Sequence, residues 1–563
     1  MRDPAFEEEV PMSQTTGPGS AQPSGAGAMI SHEDAGRLDA ASPARLIAIL
    51  VSLVLFSEFV PLQYTMVGVI IPKIGAAFPA AGNSTSWALT IAGVVGAAAL
   101  VLSGKAADLW GKKRTLFVLA AFFMIGTLIC ALTSSWALFL VGRGLQAFSF
   151  SIPAVVFGII RDLMPRRWVP IAVGFCGAGF GISAVLAPVI GGLLTDHYSY
   201  KSIFWFLAIY AVVTVPPLAV IVPESPLRSR QRFDVPGAML FGAGIGGVLI
   251  YVSEGANWGW GTISCLGYLI GGVVLLAGFI AWEMNTSEPM MDLSLLRSPR
   301  VSTVMVIALF ATAGATLPQF TLPYMFETPK AAALKAQVIA GISAKEHVPA
   351  SLVGQFVTFR GDISYAAGFS VFQFAWHVVI FMSVASMIFG PVGGLMARRH
   401  GGRLPLILSG AAFLASFLLW WQFHEVWEQS AAIGTLLGIA AGFYYGSNQN
   451  LLLDAVPAHV TGISSAMLAV FGSIGSSLAT ALATPILTSH PFQLVATPPG
   501  GKQIVSNIPQ VYTASGYALT YLVIGGIIGL ATLAFAVALR SGREPARGGA
   551  TMVVAQERTQ ADA

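Results

Sequence analysis

The sequence predicts an all-α polytopic membrane protein of about fourteen transmembrane helices, built as two six-helix bundles with two further helices inserted between them. Three observations lead there. Hydrophobic residues make up 55% of the 563 positions and charged residues only 10%, against roughly 25% charged in a soluble domain. Apolar runs of about 20 residues, enough to cross roughly 30 Å of hydrocarbon, recur along the chain. With the N-terminus placed inside, 22 of the 30 Lys and Arg fall in cytosolic segments, 7 fall outside, and Arg143 is left within the membrane. That bias follows the positive-inside rule and puts both termini in the cytosol of a multi-pass protein, expected in a plasma membrane, bacterial by its character.

The spans are expected near 46–71, 86–104, 114–133, 137–159, 170–194, 202–222, 236–253, 264–283, 301–326, 376–397, 404–423, 431–453, 461–487 and 515–539. Residues 1–45 lack the basic, apolar and cleavage regions of a signal peptide and read as a disordered cytosolic tail. The N-terminal bundle is 46–222, the inserted pair with its flanking cytosolic loops 223–300, the C-terminal bundle 301–540, and a second tail 541–563. Two outer loops stand out: an insert at 327–365, in which 330–346 reads as a surface helix, and 488–514. Cys130, Cys176 and Cys265 fall inside helices as small apolar packing residues, so neither a disulfide framework nor a metal cluster is expected. The net charge of +4 is confined to loops between spans and does not point to nucleic acid.

Between the second and third spans lies GKAADLWGKKR at 104–114. Gly104, Asp108 and Gly111 with the cluster Lys112, Lys113 and Arg114 read as a tight cytosolic turn. The spacing recurs as Gly394, Arg398 and Gly401, followed by Arg403, at the same place in the second half. Two similar halves suit alternating access to a site between them.

Ionisable side chains within a membrane are costly and mark function by default. In the first half these are Glu58 and Arg143. At 1.5 Å per residue, Glu58 lies about 18 Å up from the cytosolic face and Arg143 about 21 Å, so the two are expected at one depth. They read either as a static ion pair joining the first and fourth helices or as a carboxylate that exchanges a proton beside a guanidinium. Gln146 shares a helical face with Arg143. Gln63, Tyr64, Thr65 and Gln319 add polar groups, and Pro188 with Gly191 and Gly192 marks a bend with close packing in the fifth helix. YYGSNQN at 444–450 is polar for a membrane helix. No phosphate-binding loop, paired-histidine motif or nucleophile elbow appears, so no enzyme and no cofactor is expected.

Over roughly residues 46–540 the chain resembles the fourteen-helix drug/proton antiporter family of the major facilitator superfamily. The carriers of the resemblance are the 104–114 loop, Arg143-x-x-Gln146, Ala187-Pro188-x-x-Gly191-Gly192, and the segments FDVPG at 233–237 and EPMMDLSLLRS at 288–298. The resemblance implies the major facilitator fold, a charge relay in the 104–114 loop and proton coupling through Arg143 and Gln146. LQYTMVGVIIP at 62–72 aligns with the family's first-helix pattern, but Gln63 stands where its Asp does and Gly68 where its Asn does. Glu58 is then the nearest substitute carboxylate. The expected function is proton-coupled efflux of drugs or other lipophilic or amphipathic small molecules, with protons and the bilayer as further partners and a monomer sufficient. The alternatives are a dedicated exporter of one metabolite or siderophore, or a membrane sensor or scaffold that moves nothing.

Overall fold

The computed structural model describes residues 37–165, 168–226, 234–286, 293–455, 461–497 and 503–539. The tails, the basic cluster at 228–232, Phe233 and the start of the 288–298 segment lie outside the described residues. Among those described, thirteen helices are long and apolar enough to cross a membrane. In chain order they and one more polar helix are α1 (Pro43–Val69), α2 (Trp87–Trp110), α3 (Lys112–Leu132), α4 (Trp136–Leu163), α5 (Val169–His197), α6 (Lys201–Ile221) and α7 (Val235–Trp258). Then follow α8 (Ile263–Asn285), α9 (Pro299–Phe326), α10 (Val371–Ala397), α11 (Arg403–Gln422), α12 (Trp427–Ala455), α13 (Thr461–Thr488) and α14 (Ala514–Ala538). The helix outside the thirteen is α12, which has spanning length at 29 residues and packs between α10 and α11. Its YYGSNQN stretch makes it the more polar one. We call the end with the 104–114 turn the inner end and the opposite end the outer one.

Prolines shape the two helices that carry the membrane charges. Pro61 has no N–H to give the carbonyl of Ser57, and α1 breaks there into Pro43–Ser57 and Phe59–Val69 with Glu58 at the joint. In α4 the turn Ala147–Ser151 winds as a 3-10 helix just before Pro153, joining Trp136–Gln146 to Ile152–Leu163.

Helices α7 and α8, expected as an inserted pair, pack as a hairpin through small residues: a Cβ on Gly247 would sit 3.0 Å from the Cα of Gly272. Its first member, α7, lies against both α2 and α13, while α8 shows Ile270, Val273, Val274 and Ile280 to the outside, as a lipid-facing helix should. Asp234, from the FDVPG segment, accepts from the Gly237 N–H at 3.0 Å and from the Trp282 indole at 2.7 Å, which caps α7 and ties it to α8.

The two outer loops, 327–365 and 488–514, are joined by strand pairing. The surface helix expected at 330–346 is present as Ala331–Glu346. Beyond it β1 (Val357–Arg360) pairs antiparallel with β2 (Pro491–Ala496), which pairs with β3 (Ile504–Tyr512). These short strands joined the reading of the sequence as loops because each is too brief and mixed in character to show a period; only pairing between distant segments makes them strands. Gln510 in β3 takes φ +61° and lays its amide against Gly75, where a side chain would overlap it.

Candidate functional site

The 104–114 turn is organised by Gly111, which takes φ +110°, a left-handed conformation that favours glycine. Gly104, by contrast, sits inside α2 with no described atom within 4 Å of where a Cβ would be. Asp108 lies in the last turns of α2, and its side chain is outside the described residues. The Lys112 ammonium pairs with Asp162 at 2.9 Å, and the Ser225 hydroxyl donates to the same carboxylate at 2.6 Å. Glu224 accepts from the backbone N–H groups of Lys113 (2.9 Å), Arg114 (3.2 Å) and Ser225 (3.2 Å), an anion on the positive end of α3. The Lys113 ammonium donates to the carbonyl of Ala219. Asp162 and Glu224 escaped the sequence reading because they lie 50 and more residues from the lysines they meet. Glu224→Ala should lower stability by about 1 kcal/mol, as loss of an N-terminal cap does; an unchanged thermal unfolding midpoint in detergent would rule that role out.

The second copy of the turn has the same backbone device. Gly401 takes φ +85° at the end of α10, and the Arg403 guanidinium donates to the carbonyl of Val537 in α14. Gly394 faces the carbonyl of Gly446 at a close helix contact, and the Arg398 side chain lies outside the described residues.

Arg143 and Glu58 do not meet. The fully buried Arg143 donates through Nε to the carbonyl of Ala88 (3.0 Å) and through Nη1 to the side-chain oxygens of Gln146 (2.5 Å) and Gln63 (3.4 Å). The Gln146 amide donates onward to Thr127 at 2.7 Å. The Gln63 amide donates to the Ser149 hydroxyl (2.5 Å) and the Gln146 carbonyl (3.3 Å), within the 3-10 turn of α4. Four helices are thus tied to one guanidinium. Gln63 is fully buried within this network as a hydrogen-bond partner of Arg143.

The separation from Glu58 has a simple cause. Five residues at about 100° each turn Gln63 roughly 140° away from Glu58 around the helix, so equal depth does not bring the two charges together. Glu58 faces α5, where its carboxylate fills the space a side chain on Gly179 would need. It is 5% exposed, both oxygens are buried, and neither has a hydrogen-bond partner among the described residues. The Ser183 hydroxyl faces the carboxylate without completing a bond to it, and Cys176 and Tyr210 lie alongside.

A third face of α1 meets the other half of the molecule. The Tyr64 hydroxyl donates to Thr316 of α9 (3.2 Å), which donates to Ser476 of α13 (3.1 Å). Gly68 lies against the Gln319 backbone and side chain, and the Gln319 side-chain oxygen has no partner among the described residues. Tyr445, from YYGSNQN, is 59% exposed yet within electrostatic reach of Tyr64, so its exposure is to a space between the halves. Toward the outer end the halves are in contact. Thr90 and Thr480 share a hydrogen bond of 2.7 Å, and Asp196 at the end of α5 accepts from the N–H groups of Val371 (3.1 Å) and Phe372 (2.9 Å) that open α10. Gly192 lets these helices touch: a Cβ there would lie 2.5 Å from the Cα of Phe372. Gly191 is roomier, its nearest neighbour being Met66 at 3.5 Å, and Pro188 lies within α5 one turn before. Thr316, Ser476 and Asp196 carried no signal in the sequence, since single Thr, Ser and helix-end Asp residues occur everywhere.

A family model described as Major Facilitator Superfamily matches residues 53–344. The chain is 26% identical over 441 residues to the uncharacterized MFS-type transporter YvkA of Bacillus subtilis, covering 77% of this chain and 89% of that one. It is 24% identical to the tetracenomycin C resistance and export protein of Streptomyces glaucescens (77% and 74% covered). To the multidrug resistance protein Stp of Mycobacterium tuberculosis it is 26% identical (76% and 73% covered). Among solved structures, a peptide transporter POT in complex with sulfate aligns with a TM-score of 0.57 at 13% identity, over 88% of this chain and 94% of that one. The human organic anion transporter MFSD10 aligns at 0.53 and 13%, over 87% and 100%. At such identities the structural likeness speaks for the fold alone.

Proposed function

This chain belongs to the major facilitator superfamily, and from that premise we propose that it is a proton-coupled exporter of lipophilic or amphipathic compounds, working by alternating access. The observation that carries the reading is Glu58: a membrane-embedded carboxylate, shut away from water, with no counter-charge and no hydrogen-bond partner among the described residues. A buried ionised carboxylate in that setting would cost several kcal/mol, and a proton is the ligand that removes the charge. Its place in the chain supplies the coupling. Glu58 is the joint of a broken helix whose next turns carry Gln63, bonded to Arg143, and Tyr64, bonded to the opposite half. Loading or releasing a proton at the joint changes how α1 bends, and so changes what Tyr64 holds. In this reading the units 46–222 and 301–540 rock about the site, and the 104–114 turn fixes the inner ends of α2, α3 and α4.

The names of the resistance and export relatives support a drug-like cargo. A cationic drug would compete with the proton for Glu58. A dedicated metabolite exporter is the second reading, favoured by Gln63, whose amide is committed to Arg143 and α4 and so presents no charge to a cargo. In either case we place the protein in the plasma membrane with its termini in the cytosol, as the charge bias supports.

The test uses proteoliposomes with an acid lumen, to which a panel of lipophilic cations and neutral drugs is added. Drug-triggered proton release is expected from the wild type and not from Glu58→Gln. A wild type silent across the panel would sink the multidrug reading. A mutant as active as the wild type would remove Glu58 from the coupling.

A further inference from the structure

A second carboxylate stands where the two halves close. Glu327 follows the last residue of α9 at the outer end. The turn that carries it is fixed on both sides, since Phe369 donates to the carbonyl of Phe326 and Gly368 to that of Thr328, both at 2.9 Å. Its two side-chain oxygens are buried, and neither has a hydrogen-bond partner among the described residues. The charged groups that face it come from the opposite half: Lys73, exposed, from the segment Ile71–Ala77 after α1, and Asp196 at the end of α5. From its own helix Tyr324 lies within reach, with Tyr512 of β3 behind it. Asp196 is occupied by the N–H groups of Val371 and Phe372, so it can offer Glu327 only repulsion. No ion pair joins Lys73 to Glu327 among the described residues. A carboxylate so enclosed is unsatisfied as an anion.

Resting on the reading that the chain alternates between outer-closed and outer-open states, we propose that Glu327 is a second proton-binding site, at the outer gate, and that the proton it takes holds the gate shut. Closure buries the carboxylate against the other half; opening returns it to water, where the proton leaves to the outer solution. The site takes a proton rather than a metal cation, since it offers one carboxylate and an exposed ammonium, not a set of oxygen ligands.

Its sign follows from burial. In the closed state burial pushes the Glu327 carboxyl well above its ordinary value of 4.5, Lys73 opposes the rise and Asp196 adds to it. A group whose closed-state value is raised favours closure fully below its ordinary value. That preference fades as pH climbs from about 4.5 toward the raised value, by up to tenfold per pH unit in the closed-to-open ratio. Acid outside therefore shuts the gate. His377, stacked on Phe369 and edge-on to Trp427, and His197 in the last turn of α5 also lie at this end, so pH alone does not isolate Glu327.

The experiment places spin labels at Ser199→Cys and Glu425→Cys, exposed positions at the outer ends of the two halves. The three native cysteines are buried, which keeps labelling selective. Distances are measured on the full chain in lipid nanodiscs between pH 5 and 9, for the parent, Glu327→Gln and Glu58→Gln. Glutamine has the shape of the protonated acid, so the fold should tolerate it. The parent should populate the short distance in acid and lose it as pH rises. Glu327→Gln should stay at the short distance throughout, and Glu58→Gln should still titrate. A parent whose distance ignores pH, or a Glu327→Gln variant that titrates as the parent does, overturns the proposal. Because the distances are read without any cargo, a gate that titrates in a protein showing no drug-triggered proton release would sink the multidrug reading and leave the gate standing.

Discussion

Arg143→Ala is expected to abolish transport and to lower stability by on the order of 3 kcal/mol. The loss strips three buried acceptors, the Ala88 carbonyl and the side-chain oxygens of Gln63 and Gln146, of their donor. An unsatisfied buried acceptor costs about 1–3 kcal/mol, and relaxation of the glutamine amides recovers part of the total. Arg143→Lys should not restore function. An ammonium is a point donor and cannot span a backbone carbonyl on α2 and amides on α1 and α4 in one plane, as the guanidinium fork does. Thermal unfolding in detergent, measured beside drug-triggered proton release, separates the two effects. A lysine variant with wild-type flux would mean that charge alone, not the fork, is what the site needs.

The second large effect is expected at Gly192. A methyl there would lie 2.5 Å from the Cα and 2.6 Å from the N of Phe372, backbone atoms that cannot turn aside. Gly192→Ala should therefore hold α5 and α10 apart at the outer end, weaken the cap that Asp196 places on α10, and cut the transport rate at least tenfold. The adjacent Gly191→Ala meets only side-chain atoms of Met66, Ile203 and Val69 at 3.5–3.7 Å, ordinary contacts, and should transport nearly as the wild type does. The pair is its own control for helix propensity, since both replace glycine by alanine in one turn. Equal activity in the two variants would refute the idea that this crossing closes the gate. The label pair at Ser199 and Glu425 should show Gly192→Ala shifted to the longer distance at every pH.

Much of this was legible before any coordinates. Hydropathy and charge bias located the spans because the bilayer imposes a length and a polarity that single segments must satisfy alone. The repeat of the turn was legible too, and Gly111 and Gly401 share the positive φ that the repeated glycine implies. Arg143 with Gln146 was readable from three-residue spacing, and the two are bonded at 2.5 Å. The common depth expected for Glu58 and Arg143 does not make them partners, because depth follows from counting residues along a helix while direction follows from where its neighbours stand. The sequence marks Gln63 by the Asp it stands in for; only the structure shows its bonds to Arg143 and Ser149.

The sequence by itself determined what the membrane demands of each segment: the class of fold, the order of the apolar spans, the glycine turns and the residues too polar to be in lipid by accident. The tertiary structure decided which of those residues face each other. Glu58 looks to α5, Gln63 to Arg143 and Tyr64 to the other half because three positions on one broken helix point three ways. Glu224 and Asp162 close on the 104–114 turn, Asp196 caps α10, β1 pairs with β2 across more than 130 residues, and Glu327 is enclosed at the outer end. Each depends on a contact between segments far apart in the chain, and no local pattern records a partner that packing alone selects.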